Sequence, residues 1–85
     1  MLLVDLNLLL YATNRDAADH SAAKAWWEVA LNAEEPVGLA WLVMLGFLRI
    51  ATNARILPAP LSFAQAAELV DEWLTQPVVR VVHPT

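Results

Sequence analysis

The spacing of apolar residues changes period along this chain, and each change marks an element. Met1-Leu2-Leu3-Val4 is an unbroken apolar run ending at Asp5, a pattern that predicts a short strand buried on both faces, as in a parallel α/β sheet. Leu6 to Ala12 reads as a brief helix ending near Thr13-Asn14, and the polar stretch from Asn14 to Asp19 as a loop. From His20 to Asn32, Ala23, Trp26, Trp27 and Ala30 recur at helical spacing, with Ser21, Lys24, Glu28 and Asn32 on the other face. Ala33 to Pro36 is a turn, and Val37 to Ala40 a second strand. Trp41 to Ala51 is apolar almost all round, broken by Arg49, which predicts a helix covered on more than one side.

Thr52-Asn53 ends that helix, and Ala54 to Leu61, with Pro58 and Pro60, forms a loop. Ser62 followed by Gln65 is a capping-box signature. The helix it opens is expected to bury Ala66, Leu69, Val70, Trp73 and Leu74, and to turn Gln65, Glu68, Glu72 and Gln76 to water. Pro77 stops it, and Val78 to Val82 is a third strand. The order strand, helices, strand, helices, strand predicts a three-stranded parallel sheet with right-handed crossovers, Asp5 standing at the carboxyl edge of the central strand. Thr85 then falls where a further helix would be capped, so the chain is expected to be one domain, residues 1–85, incomplete at its carboxyl end.

With 85 residues the chain suffices for one small domain, which buries only roughly 60–65% of its unfolded surface. Yet 59% of its residues are hydrophobic and four are Trp, so more apolar surface exists than so small a domain hides, and a partner or second copy is expected to cover the excess. The absence of cysteine excludes disulfides and thiolate zinc sites and fits a reducing cytoplasm. The amino terminus lacks a basic n-region, and the longest uncharged run, Pro36 to Leu48, is too short to cross a bilayer, so a soluble cytoplasmic protein is expected. A formal net charge of −4 counts against nucleic-acid binding through a basic surface, though it leaves room for an enzyme that meets phosphate through a cation held by carboxylates.

Asp5 is the chief candidate for chemistry. A lone carboxylate ending a buried strand needs cations or hydrogen-bond donors, and in parallel sheets ligands gather beyond the carboxyl ends of the strands. The competing reading makes Asp5 the N-cap of the segment that follows. Ser21 and Ser62 read as helix-start residues, not nucleophiles, and His20 and His83 as surface positions at a helix start and a strand end, with no ligand-spaced pair between them. Asp16 and Asp19 lie in a loop that reads as solvated, although they could help hold a cation.

Several stretches together resemble one family. Val4-Asp5-Leu6-Asn7-Leu8-Leu9-Leu10-Tyr11-Ala12 resembles the opening motif of PIN domains, in particular of VapC-type toxins from bacterial toxin–antitoxin modules. His20-Ser21-Ala22-Ala23 leading to Trp26-Trp27, then Gly46 to Asn53, then Pro60-Leu61-Ser62 before a helix ending in Trp73-Leu74, extend the resemblance over essentially the whole chain. It implies an α/β/α sandwich around a parallel sheet, here incomplete, and a metal-dependent ribonuclease using Mg²⁺ or Mn²⁺, with RNA as substrate, a cognate antitoxin as partner and a homodimer as the assembly. Carried over by position, Asp5 becomes the metal ligand and catalytic acid and Asn7 a supporting residue, though Asn7 also reads as an ordinary polar helix residue. Arg49 and Arg55 become candidates for touching RNA phosphates; within an apolar helix, Arg49 reads first as a structural side chain paired with a carboxylate or with backbone carbonyls. The chain departs from the family where a glutamate often stands in the helix after the second strand, since Leu45-Gly46-Phe47-Leu48 carries no acid there. With one carboxylate in place, the alternative function is an inactive remnant that binds an antitoxin or a second copy of itself.

Overall fold

Two crossovers set the architecture. The structure, a computed structural model describing residues 1–83, runs through β1 (Leu2–Leu3), α1 (Leu6–Thr13), α2 (His20–Asn32), β2 (Val37–Ala40), α3 (Trp41–Ala51), α4 (Phe63–Thr75) and β3 (Val79–Val82). The strands are parallel in the order β1-β2-β3, with Leu2 beside Val37, Val37 beside Val79 and Ala40 beside Val82. A right-handed crossover that steps always the same way across a sheet deposits its helices always on the same face. The four helices therefore share one layer, and their buried residues join Val4, Val37, Leu39 and Val79 in a single core.

That core turns on aromatic side chains. Phe47 of α3 is wholly buried and meets Trp73 of α4 edge-on at 4.9 Å between ring centroids, and Trp73 meets Trp27 of α2 at 5.7 Å and 88°. Such edge-to-face pairs add about 0.5–1.5 kcal/mol each to what burial of their area contributes. The indole N–H of Trp27 is buried with no hydrogen-bond partner among the described residues, a local cost that the packing of the ring has to offset. At the start of α4 the capping box forms as expected: Gln65 N–H donates to Ser62 Oγ at 3.1 Å, and Ser62 N–H to Gln65 Oε1 at 2.9 Å.

The opposite face of the sheet is open among the described residues. Leu3, next to Gly38 in register, is 70% exposed, and Arg80, next on β3, is exposed too. Gly38 is where the neighbouring strands' side chains close over this face, since a Cβ there would lie 2.9 Å from Leu3 Cδ2 and 3.0 Å from Val82 Cγ2. Of the expected sandwich, these residues thus supply the parallel sheet and one helical layer. The chain exposes 5614 Å², against about 5000 Å² for a folded monomer of its mass.

The structure corrects five expectations. β1 is not buried on both faces, and it is an edge strand, not the central one: β2 takes the centre because the strands are laid down in sequence order. α3 has one covered side, with Met44, Phe47 and Ala51 inward and Trp41, Leu42 and Leu45 exposed, because no second layer lies beyond it among the described residues. On α2 only Trp27 of the tryptophan pair is buried, at 4% exposure against 45% for Trp26, since neighbours along a helix point about 100° apart. On α4, Leu74 turns outward while Leu69 stays half-buried against the core. The first and third strands begin or end a residue or two short of their apolar runs, although Val4 N–H still donates to Gly38 O at 3.2 Å. Thr85, read as a helix cap, lies outside the described residues. No helix among them is long and apolar enough to cross a membrane.

The tryptophan pair gives a direct check of this packing. Trp27→Ala is expected to cost about 3–5 kcal/mol, and Trp26→Ala about 1 kcal/mol or less. Urea denaturation of the two variants measures both, and equal losses would contradict the assignment of Trp27 to the core.

Candidate functional site at the carboxyl edge of the sheet

In a parallel sheet all carboxyl ends point the same way, so whatever follows each strand gathers along one edge. β1 leads through Val4 to Asp5, β2 into Trp41, and β3 into His83. Leu3 lies beside Gly38, and carrying that register forward puts Asp5 level with Ala40, which itself lies beside Val82. Strands stand about 4.8 Å apart, so the end of β3 is roughly 10 Å across the edge from that of β1.

Asp5 occupies the N-cap position of α1 in extended backbone (φ −79°, ψ 143°), yet its side chain makes no capping hydrogen bond. Its backbone carbonyl accepts from Leu9 N–H at 3.5 Å. Capping therefore does not account for the carboxylate, which is exposed at the sheet edge, where the first turn of α1 favours a negative charge. Asn7, two residues on, is exposed in that first turn.

The other candidates are not brought to this edge. α3 begins at the edge and leads away from it, so Arg49, eight residues beyond Trp41, stands roughly 12 Å along the helix. Its side chain is exposed in the last turn of α3, where a cation complements the helix dipole, in place of the expected structural pairing inside an apolar helix. Arg55 is exposed in the following loop, its N–H donating to Asn53 Oδ1 at 2.9 Å. Asp16 and Asp19 are exposed in the loop beyond the far end of α1, and Asp16 N–H donates to Asn14 Oδ1 at 3.1 Å in a local turn. His20 begins α2 as expected and is half-buried: its Nδ1 stands 2.8 Å from the Tyr11 carbonyl and ties the start of α2 to the end of α1.

Gly46 stands in α3 near where the resemblance leads one to expect an acid. A Cβ there would lie 2.9 Å from Leu6 Cδ2, so the position is a close contact between α1 and α3. The donor chemistry of Asp5 suits a hard divalent cation, which takes oxygen ligands. Among the described residues, however, no group of three or more His, Asp or Glu side chains is placed to hold a metal, so Asp5 alone does not make up a complete site.

The edge also holds a contact that sequence reasoning missed. Trp41 Nε1–H donates to His83 Nδ1 at 2.6 Å, although the two residues are 42 positions apart. Their one signal in the sequence is that each directly follows a strand, and adjacent parallel strands in register bring such residues together.

A parallel α/β sheet carrying a free carboxylate just past its first strand is the PIN-like arrangement implied by the motifs. No family model matches the sequence. Among curated proteins, the chain is 48% identical over 79 residues to Ribonuclease VapC33 of Mycobacterium tuberculosis, a match covering 93% of this chain and 55% of that protein. It is 39% identical over 85 residues to Ribonuclease VapC37 of the same organism, covering 100% of this chain and 59% of that protein. To VapC ribonuclease Mb2897 of Mycobacterium bovis it is 37% identical over 84 residues, covering 99% and 57%. Matched along nearly all its length, the sequence is similar to these VapC ribonucleases, as the motifs implied, and it spans less than two thirds of their length.

Because Asp5 has no structural hydrogen bond from its side chain, Asp5→Asn is expected to change stability by no more than about 0.5 kcal/mol. Thermal or urea unfolding measures this, and a loss above about 1.5 kcal/mol would make Asp5 a structural acid.

Proposed function

We propose that this chain carries the strand-end carboxylate of a metal-dependent ribonuclease, the toxin of a toxin–antitoxin module acting in the cytoplasm. One observation carries the reading: the Asp5 carboxylate stands exposed and unused by its own fold at the carboxyl edge, in a chain 48% identical to a protein named a ribonuclease. Asp5 is the residue that would hold Mg²⁺ or Mn²⁺, with Asn7 beside it in support. When bound, such an ion lowers the pKa of water and offsets phosphate charge. Since one carboxylate places a hydrated ion loosely, further acidic ligands are proposed to come from outside residues 1–83. Arg49 and Arg55, about two turns of helix or more from the edge, would touch RNA phosphates away from the scissile bond. The cognate antitoxin and a second copy of the chain are the proposed protein partners, supported by exposed apolar side chains such as Leu42, Leu45 and Val29.

A chimera tests this reading. Residues 1–85 exchanged for the matched 79 residues of Ribonuclease VapC33 are expected to preserve divalent-dependent RNA cleavage, and Asp5→Asn in that chimera to reduce it by about a hundredfold or more. A folded but inactive chimera, or an unchanged Asp5→Asn variant, would contradict it.

The alternative of an inactive binding remnant has one observation in its favour, the lack of a three-acid cluster among the described residues. Both readings expect residues 1–85 alone to be a poor nuclease that associates with itself. Robust Asp5-dependent cleavage by a monodisperse monomer, measured by RNA gel assay and analytical ultracentrifugation, would contradict this expectation.

A further inference from the structure

Beside Asp5 the carboxyl edge carries a second feature. Ala40, Trp41, Leu42, Val82 and His83 line a shallow notch of about 190 Å³ whose walls are almost wholly apolar. Trp41 is 45% exposed there, the first residue of α3, and its indole is fixed through the 2.6 Å hydrogen bond from Nε1–H to His83 Nδ1. The two rings lie 5.9 Å apart at 52°, so the imidazole holds the indole by its edge without stacking on its face.

We propose that this notch takes one unpaired nucleobase of a single-stranded RNA, stacked on Trp41 and held in register with the Asp5 carboxylate; the inference rests on the ribonuclease reading and adds a base-binding subsite to it. Three observations converge on a base. The notch, at the ends of β2 and β3, and Asp5, just past the end of neighbouring β1, share one sheet edge, which suits neighbouring nucleotides of one strand. A net charge of −4 gives the chain little long-range attraction for RNA, so short-range contacts gain weight beside the phosphate contacts proposed for Arg49 and Arg55, and base–aromatic stacking is one that does not depend on charge. An indole already held by a hydrogen bond loses little rotamer freedom when a base lands on it. His83 is accordingly a positioning residue, acting through the ring it holds.

The test is equilibrium binding of a fluorescein-labelled, unstructured RNA hexamer to residues 1–85, by anisotropy in EDTA so that neither metal nor cleavage contributes. Stacking of one base predicts that Trp41→Ala weakens binding about 5- to 150-fold. Trp41→Phe, which keeps a ring face but loses the N–H, is expected to retain most of the affinity, and His83→Ala to lose less than Trp41→Ala. Hexamers carrying a single abasic unit, scanned along the strand, are expected to reproduce the Trp41→Ala loss at one position and to leave that variant no weaker. Unchanged affinity in a Trp41→Ala variant of native circular dichroism overturns the proposal, as does a Trp41→Ala variant that loses only self-association. If stacking holds while the chimera fails to cleave, the subsite stands and the ribonuclease reading falls; if the chimera cleaves while Trp41 is silent, the reverse is true.

Discussion

Everything in this molecule depends on the direction in which the strands are added. β1, β2 and β3 are laid down across the sheet in chain order, and the right-handedness of each crossover then puts every helix on the same face. That face becomes the core, where Val37, Leu39, Leu9 and Phe47 lose contact with water, and the tryptophan pair of Trp27 and Trp73 closes the helical layer over them. The same constraint leaves the other face to Leu3, Gly38 and Arg80 and makes β1 an edge. It also aligns the carboxyl ends of all three strands, so Asp5, Trp41 and His83 share a rim with no local sequence signal to bring them together.

The sequence was most legible where local rules and burial agree. α2 and α3 have the bounds their patterns predict: α2 because a one-sided apolar stripe, a polar loop before it and a turn after it mark the same residues, α3 because its apolar run begins where the second strand ends and stops at Thr52-Asn53. The capping box at Ser62 and Gln65 is legible for a similar reason, since two side chains three residues apart satisfy each other's backbone without help from the rest of the fold. What failed depends on contacts far apart in sequence. Nothing local distinguishes Trp26 from Trp27, since both are apolar at an acceptable helical spacing, and only the position of Trp73 decides which turns inward. Likewise α3 looks fully buried from its composition, but a helix is covered only where another layer exists.

The candidate site was legible in part for the same physical reason. An acid at the end of an apolar run has two explanations, a cap or a ligand, and sequence gives no means of choosing. The structure removes the first, because the Asp5 side chain makes no capping bond even though its backbone sits where a cap would. At Gly46, where the resemblance implies an acid, the Leu6 side chain of α1 packs close against α3. The Trp41–His83 hydrogen bond lay beyond reach because pairing of β2 with β3, and not any motif, creates it.

The central claim is that the Asp5 carboxylate is free to take a divalent cation at the carboxyl edge. Titrating Mn²⁺ into the ¹⁵N-labelled chain tests it most directly, because the unpaired electrons broaden amide signals near wherever the ion resides. Broadening is expected first at residues 4–7 and at the facing strand end around residues 40–41, and to vanish from both in Asp5→Asn. Broadening centred instead on the 14–19 loop or the Glu34-Glu35 turn, or a pattern unaltered by Asp5→Asn, would contradict the assignment.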